Sequence, residues 1–224
     1  MKTVYKVLLC ALFCVVIILS GLRLCLTSTF IDLQYNVLGV PEDTYGFTLK
    51  ERTEYANQSI DYLLGKVSDQ EYESLTFSNG EALFNQRELS HMQDVRDLSV
   101  IVVRVLYIAL IALMVGILAG HKTGWQQESM QAGKTAGLIV LSFILIVLIS
   151  VTLNFDQLFT AFHRVFFEGD TWLFYSSDSL IRLFPMPFWV NVFVVIGVIS
   201  ALLSIGLYLF CDKGLNKLKK EVQS

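Results

Sequence analysis

LSVIVVRVLYIALIALMVGILAG, residues 98–120, carries Arg104 as its only charged side chain. About 20 apolar residues, rising ~1.5 Å each as a helix, cross the ~30 Å hydrocarbon core of a bilayer. The run is long enough to span, and residues 4–26, 135–155 and 188–211 form three more of the same kind. Backbone polar groups in lipid must be satisfied within the segment, so each run is expected to be helical. The whole chain of 224 residues is 54% hydrophobic and 17% charged, with a mean hydropathy of +0.57. That is too apolar for an ordinary soluble domain. The predicted fold class is an all-α integral membrane protein with four transmembrane helices.

The first run also has features of a secretory signal, with Lys2 and Lys6 ahead of an apolar core. Its core is long, however, and no small-residue cleavage site follows Leu26. Arg23 stands where a lipoprotein processing site before Cys25 requires a small residue. The run is expected to be retained as a helix. Lysines near the span ends set orientation. Lys2 and Lys6, Lys122 and Lys134, and the tail residues Lys213, Lys217, Lys219 and Lys220 all fall on one side, the cytoplasm.

The predicted organisation is then helix 1 over 1–27, an extracellular cap over 28–97, helix 2 over 98–120 and a cytoplasmic loop over 121–134. Helix 3 follows over 135–155, an extracellular interfacial segment over 156–187, helix 4 over 188–211 and a basic cytoplasmic tail over 212–224. Segment 28–97 holds 13 acidic and 5 basic residues, so no nucleic acid is expected as a partner. Cys10, Cys14, Cys25 and Cys211 lie in or at the ends of spans. No disulfide framework is expected outside, and no spacing resembles a zinc or haem site, so neither metal nor cofactor is predicted.

Within the cap, TFIDLQYNVLGVPEDTYGF (29–47) alternates like a strand and is rich in turn residues, which predicts strand or irregular structure. TLKE (48–51) fits a capping box, with Thr48 as cap and Glu51 reaching back, opening a helix that ends near Gly65. SNG (78–80) signals a turn. NQRE (85–88) makes a weaker cap, and nothing breaks a helix between it and Gly116, so residues 86–120 read as one helix. His91, in SHMQDVRDL (90–98), then stands ~10 Å before Leu98 along the axis, near glycerol depth. After the third span, DQLFTAFHRVFFEGD (156–170) has Leu158, Phe159, Phe162, Phe166 and Phe167 at helical spacing. It predicts a short interfacial amphipathic helix stopped by Gly169, which brings His163 to the same layer.

Asp94 lies one turn beyond His91 and is positioned to orient its imidazole. Asp97 and Arg104 lie on a similar face, and an arginine inside a span is expected to pair with Asp94 or Asp97. An equally good reading makes the 91–97 stretch the solvated end of a helix. The same even balance holds for His163, whereas His121 suits a helix C-terminus. Ser90, Ser99 and Cys25 sit in no recognisable nucleophile context, and G-x-S-x-G, P-loop, H-E-x-x-H and C-x-x-C motifs are absent from the sequence. If the chain is catalytic, the histidines are expected to move protons for a nucleophile that the substrate brings.

H-M-x-D-V before span two, and HRVFFEGDTWLF (163–174) with LIRLFP (180–185) before the last span, resemble the lipoprotein intramolecular transacylases (Lit), four-span membrane proteins of Firmicutes. The resemblance implies a bacterial plasma-membrane enzyme whose active site faces the extracellular side. Its substrates would be diacylated lipoproteins, with membrane lipid around it, and its oligomeric state is left open. It also implies the reaction: the sn-2 acyl chain moves from the S-diacylglyceryl group to the α-amine of the N-terminal cysteine. The product is an N-acyl, S-monoacylglyceryl (lyso-form) lipoprotein. The family's two outer histidines carry over to His91 and His163, with His91 assigned as base toward the amine and His163 as acid or oxyanion partner, although the reverse fits equally well. Arg164, Asp170, Trp172 and Arg182 are candidates for substrate binding, and walls of spans two to four for holding acyl chains. Two alternatives remain: a non-catalytic accessory membrane subunit of a cell-envelope complex, and a membrane lipid or peptide hydrolase using Ser99 or Cys25.

Overall fold

The computed structural model describes residues 1–223, with side chains through residue 220. Eight helices and no strand occur among the described residues: α1 (Lys2–Cys25), α2 (Ser28–Asn36), α3 (Leu49–Leu63), α4 (Asp69–Glu73), α5 (Gln86–Lys122), α6 (Gln126–Phe166), α7 (Ser179–Leu183) and α8 (Met186–Gln223). Helices α1, α5, α6 and α8 are each long and apolar enough to cross a membrane. The chain divides into two compact units. One comprises Met1–Arg23, Val103–Ile149 and Val195–Ser224, and the other Leu24–Val102 and Ser150–Val194.

The first unit is built from the four long helices. Without a hydrophobic driving force between helices in lipid, close packing depends on small residues. Gly120 shows this: the Tyr5 hydroxyl lies where a Cβ would stand. That hydroxyl donates to the Gly116 carbonyl at 3.0 Å and is 2.6 Å from the Ser129 hydroxyl. On the far helix pair, Gly137 leaves room for the carbonyl of Ser204. Two apolar clusters pack among these helices, one of Leu9, Leu113 and Ala132 and one of Ile17, Val140 and Ile144. Most other large side chains, including Ile108, Ile146 and Leu202, point outward, as a lipid-facing surface requires.

The second unit contains α2, α3, α4 and α7, the first turns of α5, the last turns of α6 and the start of α8. Where strand or irregular structure is expected over 29–47, the first part is helical instead. Residues 28–36 form α2, whose Thr27 cap accepts from the Phe30 N–H. Phe30, Ile31, Gln34 and Tyr35 are buried, a helical spacing that the apparent alternation concealed. Gln34 fixes α2 to the start of α8 by donating to the Phe188 carbonyl at 3.1 Å and accepting from Asn191 at 2.9 Å. Only residues 37–48 are irregular, as the turn residues there suggest.

The Thr48–Glu51 capping box opens α3 as expected, and Gly65, at φ 70°, follows its end. A second box, Ser68 with Glu71, opens α4, which the sequence reading did not anticipate. α5 begins at Gln86 on the Asn85 cap, and Asn85 Oδ1 accepts from the Arg87 and Glu88 N–H groups. The expected short helix after the third span follows a kink within α6, where two helices meet at non-helical backbone. The helix is interrupted at Asn154 (φ −161°, ψ 89°), and Asn154 Oδ1 caps the following turn by accepting from the Gln157 N–H at 3.1 Å. Helices α5 and α6 also run past the expected spans, so the connection between them is only residues 123–125, with Gly124 at φ 74°.

Candidate active site

His91 and His163 both lie in the second unit, and the fold brings them together. His91, on the second turn of α5, and His163, one turn before the end of α6, have ring centroids 5.8 Å apart at an interplanar angle of 29°. Each is only 6% exposed. Phe167 packs on both, at 5.0 Å from His91 and 5.5 Å from His163. Phe174 covers His91 at 5.5 Å, while Phe159 and Trp172 lie 4.0 and 4.9 Å from His163. Gly169 allows this enclosure. At φ 68° it turns the chain back after α6, and its carbonyl accepts from the Trp172 indole at 3.2 Å.

Chemistry follows from the enclosure. Burial disfavours the imidazolium form. It holds His91 down to about 4, helped by the neighbouring His163, and it also depresses His163, against a smaller opposing effect of the Phe159 carbonyl. Both rings are therefore neutral at pH 7. His163 Nδ1 lies 2.8 Å from that carbonyl. A carbonyl only accepts, so Nδ1 carries the proton and Nε2 keeps its lone pair. His91 Nδ1 is buried with no partner among the described residues.

The other candidates separate. Asp94 is exposed, and no hydrogen bond joins it to His91. Burial, Asp97 and Glu168 raise its carboxyl above the usual range. Asp97 is exposed, as is Arg104 in the first unit, and neither belongs to an ion pair among the described residues. Arg164 and Asp170 are also exposed, while Trp172 belongs to the cage. Arg182 is taken up by Asp43 through two hydrogen bonds, of 3.1 and 2.9 Å, and its guanidinium lies 3.8 Å from the Phe47 ring centroid. Burial alone would raise Asp43, but Arg182 and the Phe47 and Tyr45 N–H groups outweigh it and hold the carboxyl below its ordinary value. Ser90, Ser99 and Cys25 make no hydrogen bond to an imidazole, and no three potential metal ligands converge among the described residues.

One residue escaped the sequence reading beyond its place in the weak cap. Glu88, one turn before His91 on α5, is 1% exposed. Its Oε2 accepts from the Asn85 N–H at 2.7 Å and its Oε1 from the Leu180 N–H at 2.6 Å. Beside it, Arg87 pairs with Asp178 at 2.7 Å and lies over the Tyr175 and Phe174 rings. The periodicity that puts Glu88 on the His91 side of the helix was visible; its N–H partner 92 positions away was not.

The model of the family described as lipoprotein intramolecular transacylase Lit matches residues 6–189. The chain belongs to the Lit family. Membership makes it a member of a family of transacylases concerned with lipoproteins, and the four long apolar helices make it a multi-pass membrane protein. An uncharacterised protein of Aquifex aeolicus (strain VF5) is 27% identical over 189 residues, 82% of each chain. The membrane integral lipoprotein intramolecular transacylase Lit from Bacillus cereus superposes with a TM-score of 0.74 at 16% identity, covering 99% of this chain and 98% of that one. Two structures of the same Bacillus cereus protein with one histidine replaced, by arginine or by alanine, give TM-scores of 0.71 and 0.67. They cover 99% of this chain and 95% and 96% of theirs, both at 16% identity. At that identity these likenesses establish the shared fold.

Proposed function

We propose that this protein moves the sn-2 acyl chain of a diacylated lipoprotein from the glycerol oxygen to the α-amine of the same N-terminal cysteine, with His91 and His163 as the catalytic pair. The observation that carries the reading is the facing of two buried, neutral imidazoles in a chain of the Lit family. The substrate supplies nucleophile, electrophile and leaving group. The enzyme therefore has to provide proximity, proton transfer and oxyanion stabilisation, with no acyl-enzyme residue.

The amine nitrogen attacks the ester carbonyl carbon, forming the new C–N bond and a tetrahedral oxyanion. The amine proton passes to an imidazole, the C–O bond to glycerol breaks, and the glycerol oxygen takes up a proton. No atom is gained or lost overall. The Phe159 carbonyl favours His163 as the base, since it leaves Nε2 free to accept. His91, held neutral, is then the N–H hydrogen-bond donor to the oxyanion and keeps its proton, while the imidazolium formed at His163 returns the amine's proton to the leaving glycerol oxygen. Of the two role assignments that the family resemblance left open, this is the one with His163 as base. A neutral imidazole donor suits the role, because it cannot lose its charge-stabilising proton to the attacking amine. In this reading both termini are cytoplasmic, and the second unit lies at the outer face, where the glycerol ester of the substrate resides.

The deciding experiment expresses the protein in a strain whose lipoproteins are diacylated and fragments the N-terminal lipopeptide by mass spectrometry. Unchanged total mass with one acyl chain on the amine is expected. A fragmentation pattern that stays that of the diacylglyceryl form refutes the reading.

A further inference from the structure

The histidine pair is walled by a segment that has few anchors of its own. Trp172 and Phe174, which pack on His163 and His91, belong to the irregular stretch between the end of α6 at Phe166 and the start of α7 at Ser179. Within that stretch the Ser176 hydroxyl lies 2.8 Å from the Tyr45 hydroxyl. The downstream end of the stretch is tied to α5 at the turn that precedes His91. Glu88 makes the deepest of these ties. Both of its oxygens accept from backbone N–H groups, Asn85 at the start of α5 and Leu180 in the first turn of α7. Burial raises the Glu88 carboxyl above its ordinary value, and the two N–H groups it accepts from work against that by favouring its ionised form. Around it, Asn85 and Arg87 both bond to Asp178, and Asp178 also accepts from the Tyr175 N–H at 2.8 Å. An i−3 relation places Glu88 and His91 as neighbours on one face of α5.

We propose that Glu88 is a positioning residue for the transacylation: its carboxylate clamps the first turn of α5 to the first turn of α7 and so holds the Trp172–Phe174 wall against the two imidazoles. This rests on the transacylase reading given above. The clamp touches neither substrate nor reacting atoms, and its effect is transmitted through the wall. Loss of the clamp opens the cage to water. The imidazoles then lose the desolvation that keeps them neutral and the packing that fixes their separation, a loss felt in the chemical step rather than in substrate binding.

The test uses the full-length protein in lipid vesicles with a synthetic diacylated lipopeptide, comparing wild type with Glu88→Gln and Glu88→Asp. Glutamine presents an amide N–H to one of the two backbone donors, and aspartate keeps the charge but is too short to reach both. Two readouts are taken: kcat and KM for acyl migration, and the rate at which diethyl pyrocarbonate modifies His91 and His163, with exposed His121 as internal standard. Glu88→Gln is expected to lower kcat about tenfold or more with KM within about twofold. It is also expected to speed modification of His91 several-fold while His121 is unchanged, with Glu88→Asp intermediate in both. Wild-type kcat and wild-type histidine reactivity in Glu88→Gln overturn the proposal, as does a change confined to KM. If Glu88→Gln does not accumulate as folded protein, Glu88→Asp decides by the same criteria. A wild-type protein that turns over no lipopeptide sinks the transacylase reading instead. In that case the histidine reactivities still judge the clamp, so the two failures are distinguishable.

Discussion

The depressed imidazoles make a prediction about pH that separates this site from one built on ordinary histidines. Only the neutral α-amine attacks, and its pKa is about 7.7–8.0. Below that value kcat/KM falls tenfold per pH unit from the amine alone, so that at pH 6 roughly one amine in seventy is competent. A histidine base that titrated near the ordinary ~6.5 would add a second factor. At pH 5 it would cost a further ~30-fold, and the slope of log(kcat/KM) against pH would become two. In this protein burial holds His91 down to about 4 and depresses His163 as well. The extra loss at pH 5 is therefore smaller than that figure, and the second break falls below the pH at which an ordinary histidine would bend the profile. The assay is initial-rate acyl migration on a synthetic lipopeptide in vesicles from pH 5 to pH 9. The amine pKa is measured in the same vesicles by NMR titration. A second break at or above pH 6.5, with a slope of two below it, would refute the argument that enclosure keeps the pair neutral.

Other outcomes follow from the same geometry. Replacing His163 by alanine removes the base and is expected to cost about 10²–10⁴ in kcat, as general acid–base groups typically do. Replacing His121 should leave migration unchanged, which mass spectrometry of the lipopeptide reads directly. Asp94→Asn is expected to change kcat by less than about threefold, because no hydrogen bond joins Asp94 to His91. A loss comparable to that of His163→Ala would restore the orienting role expected from spacing. Asp43→Asn leaves the buried Arg182 guanidinium without its carboxylate and is expected to cost about 3–5 kcal/mol, read as lost thermal stability in detergent. Asp43→Leu combined with Arg182→Met should recover much of that loss. Gly120→Ala forces the Tyr5 hydroxyl off its contacts with Gly116 and Ser129, and thermal stability should fall while the second unit's histidine reactivity stays as in wild type.

The legible features were those written in local chemistry. Apolar runs located the four long helices, Thr48 with Glu51 located α3, and the absence of a breaker after Asn85 made α5 continuous across its polar and apolar halves. The missed ones depend on contacts distant in sequence or on patterns with two meanings. Ile31, Leu33, Tyr35 and Val37 look alternating until Gln34 is found bonded to Phe188 and Asn191, which makes the helical face with Phe30, Ile31, Gln34 and Tyr35 the buried one. Ser68-Asp-Gln-Glu71 carried a capping box as clear as the one that was used. His91 and Asp94 are neighbours by count, yet the imidazole is committed to an aromatic cage supplied by residues beyond 158. Glu88 was legible only as the last residue of the weak cap at Asn85, and the folded chain shows that it also serves the Leu180 N–H.

The interruption at Asn154 has a consequence for how such a chain tolerates change. In an unbroken helix, one inserted or deleted residue turns everything beyond it by about 100° and advances it by ~1.5 Å. An alteration within the apolar stretch of α6 would then swing His163 away from His91. Because the helix restarts at Asn154 under its own side-chain cap, the last turns take their phase from that cap and from the packing of Phe155 and Phe162 on Phe193. The length of the third span and the aim of His163 are thus separate variables, so bilayer thickness can be matched upstream without re-aiming the imidazole.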